Sequence, residues 1–145
     1  DWLCIHFNNS WDMFIGKIYF DSSKIFQNLI PGSLCFTTSG YDFLEIYFYK
    51  IEYLETKNSK IPNIEIPTKV HVKALNYNIF KSPIFRGLLL IDIYYEAINI
   101  REDISGDPPK FGYWVSHGIV YGKIITFDKT IKLNGIAVME TTGEI

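Results

Sequence analysis

The chain has 145 residues, 48% hydrophobic, 17% aromatic and 21% charged, with a net charge of −2 and an isoelectric point near 5.9. This is enough apolar material for one folded domain over residues 1–145. The charge balance excludes the clustered Lys and Arg of a nucleic-acid surface, and no apolar run approaches the roughly 20 residues of a membrane-spanning helix, so the sequence predicts a soluble protein with no nucleic-acid partner and no membrane span.

Met13 to Phe20 alternates with the two-residue period of a strand, and Asp21-Ser22-Ser23 ends it in a turn. Pro31-Gly32 makes a tight entry and Ser33 an N-cap for a helix running to Leu54. On that helix Asp42, Glu45, Tyr49 and Glu52 form a polar stripe, and Phe36, Gly40, Phe43, Tyr47, Ile51 and Leu54 an apolar one. The Tyr, Phe and Ile content of Tyr41 to Tyr53 argues for a strand instead. Read as one strand, however, the segment mixes Asp42, Lys50 and Glu52 with Leu44, Ile46 and Phe48 on one face, so the helix is preferred.

Thr56 to Pro67 is polar and holds two prolines, the signature of a loop or an edge. Lys69, His71 and Lys73 alternate with Val70, Val72 and Ala74, a strand on which His71 faces solvent. Gly87 to Ile100 reads as a central strand carrying Asp92 and Glu96, with Arg86 and Arg101 as their expected partners. Arg101 to Gly112 contains Gly106-Asp107-Pro108-Pro109, the clearest loop signal in the chain. Tyr113–Phe127 and Lys129–Met139 then form a hairpin turning at Asp128-Lys129, with Gly118, Gly122 and Gly135 marking bulges or close backbone contacts.

His6, His71 and His117 are far apart and no carboxylate stands at ligand spacing, so no metal and no cofactor are implied. His117, beside Gly118 on an apolar strand, and His6 are the weak candidates for an acid or base. Tyr94, Tyr95, Tyr113, Trp114 and Tyr121 form an aromatic set able to line a cavity or a binding surface, although core filling is the plainer account of 24 aromatics. Cys4 and Cys35 are too few for a disulfide scaffold and are expected as buried free thiols. Asn8-Asn9-Ser10 matches a glycosylation sequon, relevant only to a secreted protein. The chain opens at Asp1 without an initiator Met, which leaves an upstream leader open; the compartment is not specified, with the cytoplasm slightly favoured.

The order strand, Pro-Gly-Ser-Leu turn, long helix, loop and further strands, carried by Ile30-Pro31-Gly32-Ser33-Leu34, resembles hotdog-fold hydroxyacyl-carrier-protein dehydratases and thioesterases. The likeness covers the element order from about 13 to 139 but only five residues of motif. It implies an α+β fold with an antiparallel sheet packed around one long helix, usually paired with a second copy. The catalytic His expected just before the turn is missing, and Thr37 stands roughly where the family's acid does, so the resemblance implies a ligand site at Thr37 with the family's chemistry absent or rebuilt.

Two functions are therefore expected. One is a hotdog-like domain that binds an apolar or acyl-type ligand, with Tyr94, Tyr113, Trp114, Tyr121 and Thr37 as contacts, and with catalysis neither assigned nor excluded. The other is a structural or interaction module, forming a homo-oligomer or joining an assembly such as a capsid, toxin complex or appendage. An all-β sandwich or jelly roll is the alternative fold.

Overall fold

The computed structural model describes residues 2–16, 34–38, 43–46, 48–78, 87–105 and 111–144. Nine strands account for most of them: β1 (Trp2–Phe7), β2 (Asp12–Gly16), β3 (Leu34–Thr37), β4 (Phe43–Ile46), β5 (Phe48–Asn58), β6 (Glu65–Asn78), β7 (Gly87–Ser105), β8 (Phe111–Ile125) and β9 (Thr130–Glu144). They form a single antiparallel sheet in the order β4-β3-β2-β1-β9-β8-β7-β6-β5. No helix occurs among the described residues.

Alternation explains both the strands and their sidedness. On β1, Leu3, Ile5 and Phe7 are buried while Trp2, Cys4 and His6 are exposed, and the same two-residue period runs through β2, β3, β6, β8 and β9. The buried set forms one continuous apolar cluster that draws on every strand from β1 to β9 except β5, whose Tyr49, Ile51 and Tyr53 pack against it. With one apolar face and no helix among the described residues to cover it, the sheet covers itself by curling into a half-barrel. The curl brings β5 and β6 over β1 and β2: Tyr49 on β5 donates a 2.8 Å hydrogen bond to the Gly16 carbonyl on β2, and Ile51, Tyr53 and Val70 share a small apolar gap with Leu3, Ile15 and Met139. Burial, then the nearby Cys35, pushes the Tyr49 hydroxyl up to about 12, which suits a phenol that stays protonated and donates.

A second, smaller cluster closes one end. β7 carries a bulge between the Ala97 and Asn99 pairs, where the extra residue, Ile98, is 66% exposed. The bulge reverses the parity of the strand. Ile91, Ile93 and Tyr95 point inward before it, whereas Ile100 and Ile104 after it pack on Trp114, Ile61 and Ile66. Glu102, between those two isoleucines, accepts hydrogen bonds from the Ser59 hydroxyl, from the Lys60 amide at 2.9 Å and from the Trp114 indole at 2.9 Å. This ties the β5–β6 turn, in which Asn63 takes a left-handed φ of 64°, onto the β7–β8 end. Burial alone would raise the Glu102 carboxyl, but the Ser59, Trp114 and Lys60 donors outweigh it and hold the group below its ordinary value.

Several sequence expectations are corrected. The described residues are all-β with no long helix, in place of the α+β, helix-wrapped hotdog architecture; nor do they form two stacked sheets, as a sandwich or jelly roll would have. The described part of the expected helix is β3, β4 and the start of β5; Pro31, Gly32 and Ser33 lie outside the described residues, as do 17–30 and Arg86. The charge pattern that argued against a strand has a physical resolution. Leu44 and Ile46 are buried with Glu45 exposed, yet three residues further on Tyr49, and then Ile51, are the inward ones and Lys50 is exposed. The inward set therefore changes from even to odd between β4 and β5, which sit at opposite ends of the sheet order. The segment is two strands, and Lys50 and Glu52 pair with each other on the outer face.

His71 lies on the outer face, as the alternation predicts, but is not open to solvent: its neighbours leave it only 5% exposed. Asp92 is partnered by His71, and Arg101, one of its expected partners, bonds Asp103 instead. The expected loop at Arg101–Gly112 is strand as far as Ser105 and again from Phe111, with 106–110 outside the described residues. The hairpin is found, with its turn at residues 126–129 held by a 2.8 Å bond from the Thr126 amide to the Lys129 carbonyl. Gly118 is there because a Cβ would run into the Glu96 carbonyl of the neighbouring strand.

Trp114 is 1% exposed and is the largest side chain of the second cluster. Trp114→Ala should cost about 3–5 kcal/mol of unfolding free energy, measured by urea denaturation with an unchanged slope. The Glu102 carboxyl, with its folded value below 4.5, contributes stability that is present above that pH and lost as pH falls through the folded value. Glu102→Gln should therefore show a flatter fall of melting temperature on the acid side than the parent chain.

Candidate functional site

The face of the sheet turned away from the core mixes charged and aromatic side chains with exposed Leu75, Leu88 and Leu90 over β5–β7, and is apolar over β1, β8 and β9. Where it is apolar it forms an open groove of about 850 Å³ crossing β3, β2, β1, β9, β8 and β7. The strand register sets its floor and walls as two parallel rows. The first runs Thr37, Asp12, His6, Ile136, Ile119 and the second Cys35, Phe14, Cys4, Val138, His117, Asn99. Short side chains at Cys4, Cys35 and Thr37 leave room between the taller Phe14, His117, Ile119 and Ile136, and the bulged Ile98 forms one end.

Sequence candidates from distant parts of the chain meet here. His6, His117 and Thr37 all line the groove. The Asp12 carboxylate accepts from His6 Nδ1 at 2.7 Å, which fixes the tautomer and leaves Nε2 of the neutral ring as an acceptor. Both cysteines also line the groove and are free, Cys4 exposed and Cys35 half-buried, in place of the expected buried thiols. Phe14 lies between them in the register. Two strand spacings of about 4.8 Å each separate their backbones, beyond the roughly 7 Å a disulfide can bridge. Burial, then Glu140, pushes the Cys4 thiol up, and burial, then Glu45, does the same at Cys35. Neither is an activated nucleophile, and His6 points its Nδ1 at Asp12 rather than at a thiol.

The aromatic candidates are dispersed. Trp114 is buried in the second cluster and meets no groove. Tyr113, half-buried, is bonded to Glu140, and burial first, then that carboxylate, raises its hydroxyl. Tyr95 is wholly buried and donates to Ser116 Oγ at 2.7 Å. Tyr94 and Tyr121 belong to an outer-face ladder next to the groove: His71 and Tyr94 stack with ring centroids 4.1 Å apart, and Tyr94 and Tyr121 at 5.6 Å. Asp92 Oδ1 accepts from His71 Nε2 at 2.6 Å, and Glu52 Oε2 lies 3.5 Å from Nδ1. The buried imidazole is thereby satisfied within the sheet.

Among the described residues no group of three His, Cys, Asp or Glu side chains is placed to hold a metal ion, and no helix is long and apolar enough to cross a membrane. The groove residues that sequence reasoning missed are Asp12, Phe14, Ile98, Asn99, Ile119, Ile136 and Val138. A signal for them exists in β9, where Ile136 and Val138 alternate with Ala137 and Met139. Apolar residues on both faces of a strand, in a sheet with one buried face, mark an apolar patch on the other. Comparison with protein-family models, with curated proteins and with solved structures finds no match to this chain.

Native protein should react at both cysteines with iodoacetamide without prior reduction, as read by intact mass. The rate at pH 8 should be below that of the unfolded chain and still rising past pH 9, because both thiols are held above their ordinary value.

Proposed function

We propose that this protein is a binding domain that holds an apolar or acyl-type molecule in the outer groove and performs no chemistry on it. The observation that carries the reading is the groove itself: about 850 Å³, walled by Phe14, Ile98, Ile119, Ile136 and Val138, with a few polar groups at Asp12, His6, Thr37 and His117. Volume and composition lie within the usual range of small-molecule sites. The raised thiols support the non-catalytic part of the reading.

Full burial of a methylene is worth about 0.8 kcal/mol. An open trough covers roughly half of each, so a twelve-carbon chain gains about 5 kcal/mol, a dissociation constant of order 0.1 mM. A second reading, an interaction module in a larger assembly, is favoured by Ile98 and Ile136, each 66% exposed on the same face. Another protein chain covering them would occlude the groove. Light scattering separates the two readings, because a monomer at high concentration speaks against self-assembly.

Displacement of an environment-sensitive fluorophore by straight-chain C8, C10 and C12 alcohols tests the proposal. Affinity should rise about twofold per added carbon. Ile136→Asp should weaken the C12 alcohol at least about tenfold while leaving the melting temperature within 2–3 degrees or so, since surface substitutions change stability by about 0.5 kcal/mol or less. Affinity independent of chain length would overturn it.

A further inference from the structure

The groove has a charge character that its apolar walls do not determine. Asp12 lines it, and the acids around its rim come from three other strands. Glu45 sits directly opposite Cys35 in the register, Glu96 directly opposite Ile119, and Glu140 two residues beyond Val138 on the same face of β9. Glu45 and Glu140 are close enough to groove atoms to disfavour ionisation of Cys35 and Cys4. Among the described residues lining the groove there is no Lys or Arg. Arg101, two residues past Asn99, is bonded to Asp103, and Lys69, across from Glu96, reaches Glu55 at 3.5 Å.

An amphiphile seated on Phe14, Ile119 and Ile136 puts its polar end within this acidic rim. A carboxylate or phosphate head meets like charge there, with no lining Lys or Arg to receive it. A hydroxyl head finds acceptors, and an ammonium head finds acceptors together with opposite charge. We infer that the groove selects a cationic amphiphile, an apolar chain or ring system ending in an ammonium group, over neutral and anionic molecules with the same apolar body. Asp12, which His6 holds through one carboxylate oxygen, is the group that receives the ammonium. This inference rests on the proposed ligand-binding role of the groove and adds the class of ligand.

The test uses three probes with a common body: dodecan-1-ol, dodecanoate and dodecylammonium, each below its micelle concentration, competing for the same fluorophore on the intact chain at low ionic strength. Dodecylammonium should bind about fivefold tighter than the alcohol, the scale of one exposed charge contact, and dodecanoate more weakly than the alcohol. Raising sodium chloride to about 0.5 M should compress both differences. Asp12→Asn should bring the ammonium to within about twofold of the alcohol, and Glu140→Gln, on a different strand, should narrow the same gap in part. Dodecanoate binding as tightly as dodecylammonium would overturn the charge selection while leaving the groove a binding site. If none of the three displaces the fluorophore, the binding role fails and the selection with it.

Discussion

Leu3, Ile5 and Phe7 on β1, Leu133, Ala137 and Met139 on β9, and Ile91, Ile93 and Tyr95 on β7 all project from the same face of one sheet. That shared face is too apolar for water, and the described chain contains no other layer to set against it. The remaining solution is curvature, which places β5 and β6 above β1 and β2 and lets the sheet serve as its own lid. The Tyr49 to Gly16 hydrogen bond fixes the closure with a specific polar contact, and the bulge at Ile98 lets a long β7 contribute to two clusters by changing which side chains it turns inward.

Curling decides what the outer face can be. Residues that would need a partner on a flat sheet find one in the neighbouring strand. His71 sits between Asp92 and Glu52 beneath Tyr94, while Lys50 pairs with Glu52 along β5 itself. The His71 contacts cross strands and satisfy the polar groups of the outer face over β5 to β7, where Leu75, Leu88 and Leu90 also stand exposed. Over β1, β8 and β9 the outward positions are Cys4, Val138, Ile136 and Ile119 instead, which satisfy nothing across the strands and are not covered by the described chain. What sets the second half apart is that its exposed apolar side chains line a groove of about 850 Å³, which is the reason to propose binding there.

Legibility from sequence followed the local clarity of the two-residue period. The β8–β9 hairpin and the Val70, Val72, Ala74 face of β6 were readable, because each is set by neighbours within a few positions, and Gly118 announced a close backbone contact without naming Glu96 on the strand that makes it. The strand identity of Leu34 to Asn58 was not. A test for alternation assumes one strand with one buried face, and here the inward set changes between Ile46 and Tyr49 as the chain leaves one edge of the sheet for the other. β1 was missed although Leu3, Ile5 and Phe7 alternate cleanly, and with it the meeting of His6 and Cys4 with Thr37 and His117. That convergence depends on strand order, which pattern alone does not supply. Asp92 shows the same limit: its partner is His71, aligned by β6–β7 pairing rather than by nearness in sequence.

The pairing of Trp2 with Glu140 and of Phe7 with Gly135 joins nearly the first described residues to nearly the last. A ribosome releases this chain from its amino end, so β1 emerges long before the strand that flanks it exists. Until β9 is made, the apolar sides of Leu3, Ile5 and Phe7 face either water or whatever protects nascent chains, and the N-terminal four strands have no cover for their inner surface. Folding of the half-barrel therefore waits for β9 and has a high average sequence separation between partners, which places it among slow folders. The seam between β1 and β9 is where the molecule is finished, and the same seam runs through the floor of the groove.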